Sequence, residues 1–181
     1  VNFSYKNSKV KVFEKINFNI EKNECIGIIG ESGSGKTTFV DILLGLLKPT
    51  GGKIFINNEL LSGKSYNLSG NIGYLPQEPL VLEDTIKTNI ALEQNETKID
   101  NNKIQNSIQK SNLEKVISSL PKGINTLIGA NGIRLSGGQN KRLALARTFY
   151  HGKKFIIMDE ATSSLDINAE NYIAKEIENI K

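Results

Sequence analysis

Apolar and polar residues alternate over residues 1–5. Over residues 10–20 they do so again, with Val10, Val12, Ile16, Phe18 and Ile20 at mostly even spacing. Both stretches predict strands of an antiparallel β layer. A continuous apolar run, Cys25-Ile26-Gly27-Ile28-Ile29, predicts a buried strand, and Phe39-Val40-Asp41-Ile42-Leu43-Leu44 predicts a helix. After the turn cluster Lys48-Pro49-Thr50-Gly51-Gly52, short strands are expected at residues 53–57 and 72–75, the second ending at Pro76-Gln77. From Thr85 the spacing becomes helical. Thr85 is placed to cap a short helix running to Leu92; Ile104 pairs with Ile108, and Leu113 with Val116, Ile117 and Leu120. Pro121-Lys122-Gly123 ends the second helix of this helical lobe. A further helix opens at Leu135-Ser136-Gly137-Gly138-Gln139, an apolar strand ends at Met158-Asp159-Glu160, and a last helix places Ile173, Ile177 and Ile180 on one face.

Composition narrows the class without choosing within it. The 181 residues, 38% hydrophobic and 23% charged, suffice for one globular unit or two small lobes sharing a core. The net charge of +4 comes without any block of about five or six like charges, so a nucleic-acid surface is not indicated. Cys25, the single cysteine, permits no internal disulfide, and its apolar neighbours predict a packed core thiol. No stretch reaches the roughly 18 apolar residues of a membrane span, and no signal peptide is visible. Because the chain starts at Val1 within a predicted strand, it is expected to be cut from a longer polypeptide.

The predicted buried strand and the helix after it flank Gly30-Glu31-Ser32-Gly33-Ser34-Gly35-Lys36-Thr37-Thr38, which meets the phosphate-loop pattern GxxxxGK[ST]. Its glycines leave the backbone free to turn N–H groups around a phosphate at a helix start. Lys36 adds a cation for β- and γ-phosphates, and Thr37 a hydroxyl for magnesium. Asp159, at the end of an apolar strand, is the carboxylate expected to reach the same ion. Glu160, displaced by one residue, is placed to orient water or take its proton. Ser136 with Gly137 and Gly138 is open to two readings, a plain helix N-cap or a second anion-binding terminus. Tyr5 is likewise either a strand aromatic or a ring stacked on a nucleotide base.

Taken in order, GESGSGKTT, YLPQEP, LSGGQ, FIIMDE and SSLD resemble the nucleotide-binding domain of an ATP-binding cassette (ABC) ATPase over nearly the whole chain. The resemblance implies an α/β P-loop core, a parallel sheet with flanking helices, joined by an antiparallel β layer and an α-helical subdomain. It divides one domain into a core at residues 1–76 and 143–181 and a helical subdomain at residues 77–142. It also implies ATP and Mg2+ as ligands, with Tyr5 stacked on adenine and residues 30–38 around the phosphates. Thr37, Gln77 and Asp159 would then hold the metal, with Glu160 as catalytic carboxylate assisted by Gln77.

The same resemblance implies a second ABC ATPase domain as partner, in a homodimer or pseudo-dimer, in which Leu135, Ser136, Gly137, Gly138 and Gln139 close on the partner's ATP. Ser164, Leu165 and Asp166 would form the dimer-interface loop. Residues 85–92 and 120–132 resemble the exporter branch, and residues 121–132 are similar to bacterial lipid-linked oligosaccharide flippases. A transmembrane domain, fused upstream or separate, and the cytoplasmic face of the inner membrane follow from that branch. Ala130 departs from the glutamate common there, and Asn140-Lys141 from the usual Arg or Gln. His151 precedes the strand at Phe155, so the family's switch histidine is expected beyond the end of the chain. A soluble ABC ATPase of DNA repair or translation is the alternative, although no long coiled-coil insertion is present. An unrelated P-loop kinase or GTPase leaves LSGGQ unaccounted for.

Overall fold

The computed structural model describes residues 1–6, 8, 10–56, 58–60, 72–153, 155–159 and 167–178, the last segment without the side chains of Ile167, Asn168, Glu170 and Glu178. It divides into two compact units, Val1–Ile72 and Gly73–Lys181.

In the first unit the extended start pairs antiparallel at two points, Phe3 with Phe13 and Asn2 with Gly51. Helix α1 (Lys36–Leu43) follows the phosphate loop, and β1 (Phe55–Ile56) pairs antiparallel with β2 (Glu59–Leu60). Phe3, Phe13 and Ile42 form the core, with Phe39 of α1 edge-on to Phe13 at 5.9 Å between ring centroids. The even spacing at residues 10–20 holds only in part: Val12 and Ile16 pack against this core, but so does Phe13, which is out of step with them. Phe13 is buried, whereas Val10 and Phe18 are exposed. Lys15 explains the break: at φ 55 it turns the chain out of the extended conformation, and its N–H donates to Asn2 Oδ1 at 2.6 Å.

The apolar run at residues 25–29 also departs from expectation. Ile29 is 98% exposed and Cys25 is exposed, so neither the buried strand nor the core thiol is found. A strand is buried only when neighbours take up its backbone groups and cover its faces. Within its own unit, among the described residues, this run has no strand partner.

In the second unit β3 (Ile72–Leu75) pairs with β6 (Phe155–Met158). The Asp159 N–H donates to the Leu75 carbonyl at 2.9 Å. The C-terminal ends of the two strands therefore lie side by side, as parallel pairing requires. Strand β4 (Asp84–Thr85) pairs antiparallel with β5 (Leu127–Ile128). Between them α2 (Ile86–Ala91), α3 (Asn101–Lys110) and α4 (Glu114–Ser118) form the expected helical lobe. Thr85 caps α2 by accepting from the Thr88 N–H at 3.1 Å, while α3 starts three residues before its first apolar position, Ile104, because Asp100 caps it.

Helix α5 (Gly137–Tyr150) joins the parts of this unit. Leu143 and Ala146 pack with Ile86, Ile90, Ile104 and Ile108 of the lobe; Ala144 and Leu145 pack with Leu75 and with Ile173 of α6 (Ile167–Glu178). Four consecutive buried residues span most of a helix circumference, so α5 is enclosed rather than amphipathic. Leu145, at 0% exposed, has no room to be replaced by water. Leu145→Ala is expected to lower stability by about 2–5 kcal/mol in urea denaturation, and a loss below about 1 kcal/mol would contradict a close-packed site.

Candidate nucleotide-binding site

The phosphate loop turns at two left-handed glycines, Gly33 at φ 80 and Gly35 at φ 95. Gly35 is also the N-cap of α1, so no side chain satisfies the first N–H groups of that helix. Lys36 curls back over the loop and donates from Nζ to the carbonyls of Gly30 at 2.8 Å and Glu31 at 2.9 Å. Its ammonium and the unsatisfied helix amides concentrate positive potential in one small turn. Thr37 is exposed beside it, while Thr38 is buried.

Tyr5 joins this group through a contact that spacing along the chain did not reveal. Its hydroxyl hydrogen-bonds Thr38 Oγ1 at 2.9 Å, and Phe3 meets its ring edge-on at 5.0 Å between centroids. The ring is anchored at both ends yet 47% exposed. A purely structural aromatic would bury more of its area.

In the second unit the Asp159–Leu75 hydrogen bond sets Asp159 beside the end of β3, two residues before Gln77. Asp159 is half-buried and Gln77 exposed. Ser136 caps α5, its Oγ accepting from the Gln139 N–H at 3.3 Å, and Gln139 Oε1 accepts from the Ser136 N–H at 2.8 Å. The reciprocal pair is a capping box. Ser136 and Gly137 are exposed, Leu135, Gly138 and Gln139 half-buried. The expected catalytic Glu160 and the interface residues Ser164, Leu165 and Asp166 lie outside the described residues.

His151 ends α5 as its C-cap, edge-on to Tyr150. Partial desolvation and the charges of Lys153 and Lys103 lower its pKa, against an opposing hydrogen bond to the Ala91 backbone. Two groups escaped the sequence reading, Asn89 and Arg147. Asn89 is fully buried inside α2, and a polar amide at an inward helix position was the available signal.

A glycine loop opening a helix and a carboxylate ending a parallel strand define the P-loop nucleotide-binding class. Within that class the comparisons are specific: the ABC transporter family matches residues 13–163. The chain belongs to the ABC transporter family, as its nucleotide-binding ATPase domain. It is 35% identical over 181 residues to an ATP-dependent lipid A-core flippase of Burkholderia orbicola, covering 99% of this chain and 30% of that protein. It is 34% identical over 181 residues to ABC transporter B family member 29, chloroplastic, of Arabidopsis thaliana, covering 99% of this chain and 28% of that protein. The solved structure of a bacterial Atm1-family ABC exporter with ATP bound superposes with a TM-score of 0.86 at 28% identity, over 98% of this chain and 31% of that one. The chain thus spans about three tenths of the length of these relatives. Among the described residues no helix is long and apolar enough to cross a membrane.

The two left-handed glycines differ in surroundings. A Cβ on Gly33 meets nothing within 4 Å, whereas one on Gly35 would sit 2.6 Å from Val12 Cγ1. Gly33→Ala is therefore expected to cost about 1–2 kcal/mol from φ alone, and Gly35→Ala about 1–3 kcal/mol more. Equal losses in chemical denaturation would refute that packing.

His151 generates a pH prediction. Above its ordinary value of 6.5 both folded and unfolded states hold it neutral. As pH falls below that value the unfolded chain takes up the proton first, so stability declines until the lowered folded pKa is passed. His151→Gln should flatten that part of the stability profile, as followed by thermal melts from neutral to acidic pH. An unchanged slope would remove His151 as its source.

Proposed function

We propose that the chain binds ATP with magnesium and hydrolyses it to ADP and phosphate. The cycle powers export, or flipping of a lipid-linked glycan, by a transmembrane domain that is fused upstream or a separate subunit. The observation that supports this most is the loop itself: two left-handed glycines wrap the backbone around the Lys36 ammonium at an uncapped helix start. Such a turn suits a triphosphate.

Tyr5, anchored but exposed, is the adenine's stacking partner. Thr37, Gln77 and Asp159 offer oxygen donors only, the set that a hard magnesium ion takes. That ion, when bound, neutralises charge on the β- and γ-oxygens. Glu160 accepts the proton of the attacking water, which Gln77 orients. Leu135, Ser136, Gly137, Gly138 and Gln139 close on the γ-phosphate held by a second ATPase domain. Since Ser136 Oγ accepts from the Gln139 N–H, its own O–H proton stays free to donate to that phosphate. Ser164, Leu165 and Asp166 line the interface of the homodimer or pseudo-dimer. Residues 1–76 and 143–181 act as the catalytic core and residues 77–142 as the helical subdomain, at the cytoplasmic face of the membrane. The mechanical step is closure of the dimer on ATP and reopening after hydrolysis.

The test uses the full-length natural protein carrying Glu160→Gln, followed by light scattering and phosphate release. Hydrolysis is expected to fall by about 10²–10⁴-fold while ATP still drives the two domains together. Adding Lys36→Ala should abolish binding, and adding Ser136→Ala should abolish closure with ATP still bound. Closure that survives Ser136→Ala would sink the role of Ser136 across the interface.

A further inference from the structure

Helix α5 carries Lys141, Arg142 and Arg147 into the second unit, and the last is bonded to two segments at once. Arg147 spreads its guanidinium over three oxygens, none of them a carboxylate. Nη1 donates to the Leu80 carbonyl at 2.6 Å, Nε to the Asn89 carbonyl at 2.7 Å and Nη2 to Asn89 Oδ1 at 2.8 Å. Asn89 in turn clasps the segment just before its own helix. Its Nδ2 donates to the carbonyls of Leu82 and Thr85, each at 3.0 Å, and to that of Asp84 at 3.4 Å; its Oδ1 accepts from the Leu82 N–H at 2.9 Å. The amide is saturated and fully buried. A planar fork can hold three acceptors at once, which a lysine ammonium on one flexible stem does not reproduce.

The clamp joins two segments that matter to the proposed reaction. Leu80 lies three residues after Gln77, and Arg147 sits on the helix capped by Ser136, about 16 Å further along its axis. A capped and enclosed helix moves as one body, so displacement of Ser136 reaches Leu80 through Arg147. We infer that Arg147, acting through Asn89, is a positioning residue that couples Gln77 to Ser136 within one chain. This rests on the reading above, in which Gln77 serves the chain's own ATP and Ser136 the partner's. Engagement of one ATP is thereby transmitted to the water-orienting glutamine of the other site.

Two variants separate the clamp from its parts. Arg147→Lys keeps the charge and loses the fork. Asn89→Asp keeps the acceptors for Arg147 and Leu82 but sets an anion against the carbonyls of Leu82, Asp84 and Thr85, which frees that segment. ATP binding, steady-state hydrolysis against ATP concentration, and thermal melts are measured on the full-length natural protein. Each variant is expected to bind ATP within about threefold of the parent, to lose about tenfold in kcat, and to show a Hill coefficient falling to 1. Parental kcat and Hill coefficient in both variants would overturn the proposal. So would a variant that no longer unfolds cooperatively, because the clamp would then be a stability element only. Lys36→Ala is run alongside: turnover that survives it overturns the ATPase reading itself, an outcome distinct from anything the Arg147 and Asn89 arms produce.

Discussion

The second unit depends on the enclosure of α5. Leu143, Ala144, Leu145 and Ala146 are buried in succession, so the helix has almost no side on which to shift without opening a cavity. Its N-terminus is fixed as well, by the reciprocal bonds of Ser136 and Gln139. A helix held at its end and around its girth makes a stiff mount, as the role proposed for Ser136 at a phosphate would require. The capping bonds satisfy backbone N–H groups and leave the hydroxyl proton uncommitted, so the cap and the proposed phosphate contact would draw on different parts of the same side chain.

The two helix starts use opposite end chemistry. At α5 a side chain caps the helix; at α1 a glycine stands where a cap would be, and a lysine follows at once. Capping α1 with a serine would satisfy its amides internally and reduce what they offer to an anion. The left-handed φ of Gly35 and its contact with Val12 and Phe13 enforce the choice, because any Cβ there clashes with the core of the same unit. Packing of the first unit and openness of its proposed anion site are thus one constraint.

Motif and periodicity made much of this legible. The helical lobe follows from apolar residues at helical spacing and from the Thr85 cap, and β3 and β6 from short apolar runs that ended in chemistry-bearing residues. Legibility failed where side-chain pattern competes with backbone conformation. Lys15, at positive φ, broke the alternation expected of residues 10–20, and no residue type announced it. The run at 25–29 has the composition of a buried strand, yet composition does not supply a partner strand. In the site, phosphate-loop residues were readable because spacing fixes their geometry locally. The Tyr5–Thr38 bond spans 33 residues and depends on the fold.

Arg147 and Asn89 illustrate why a polar network resists sequence reading. In a helix pattern an arginine followed by Thr and Phe reads as a solvated position, and an asparagine between Thr and Ile as a weak helix former. Each becomes intelligible only against the other. Burying a guanidinium disfavours its charged form, as the lowered pKa of Arg147 reflects, and three oxygens on one side must offset that. Burying an amide requires partners for both ends, and the Leu82 segment together with Arg147 provides them. Replacing the pair with apolar residues of similar volume would fill the space and spare the desolvation, but would leave carbonyls at Leu80, Leu82 and Thr85 unbonded. The network is therefore tied to the course of the segment beyond Gln77, since only a backbone following that path presents these carbonyls to one amide and one guanidinium.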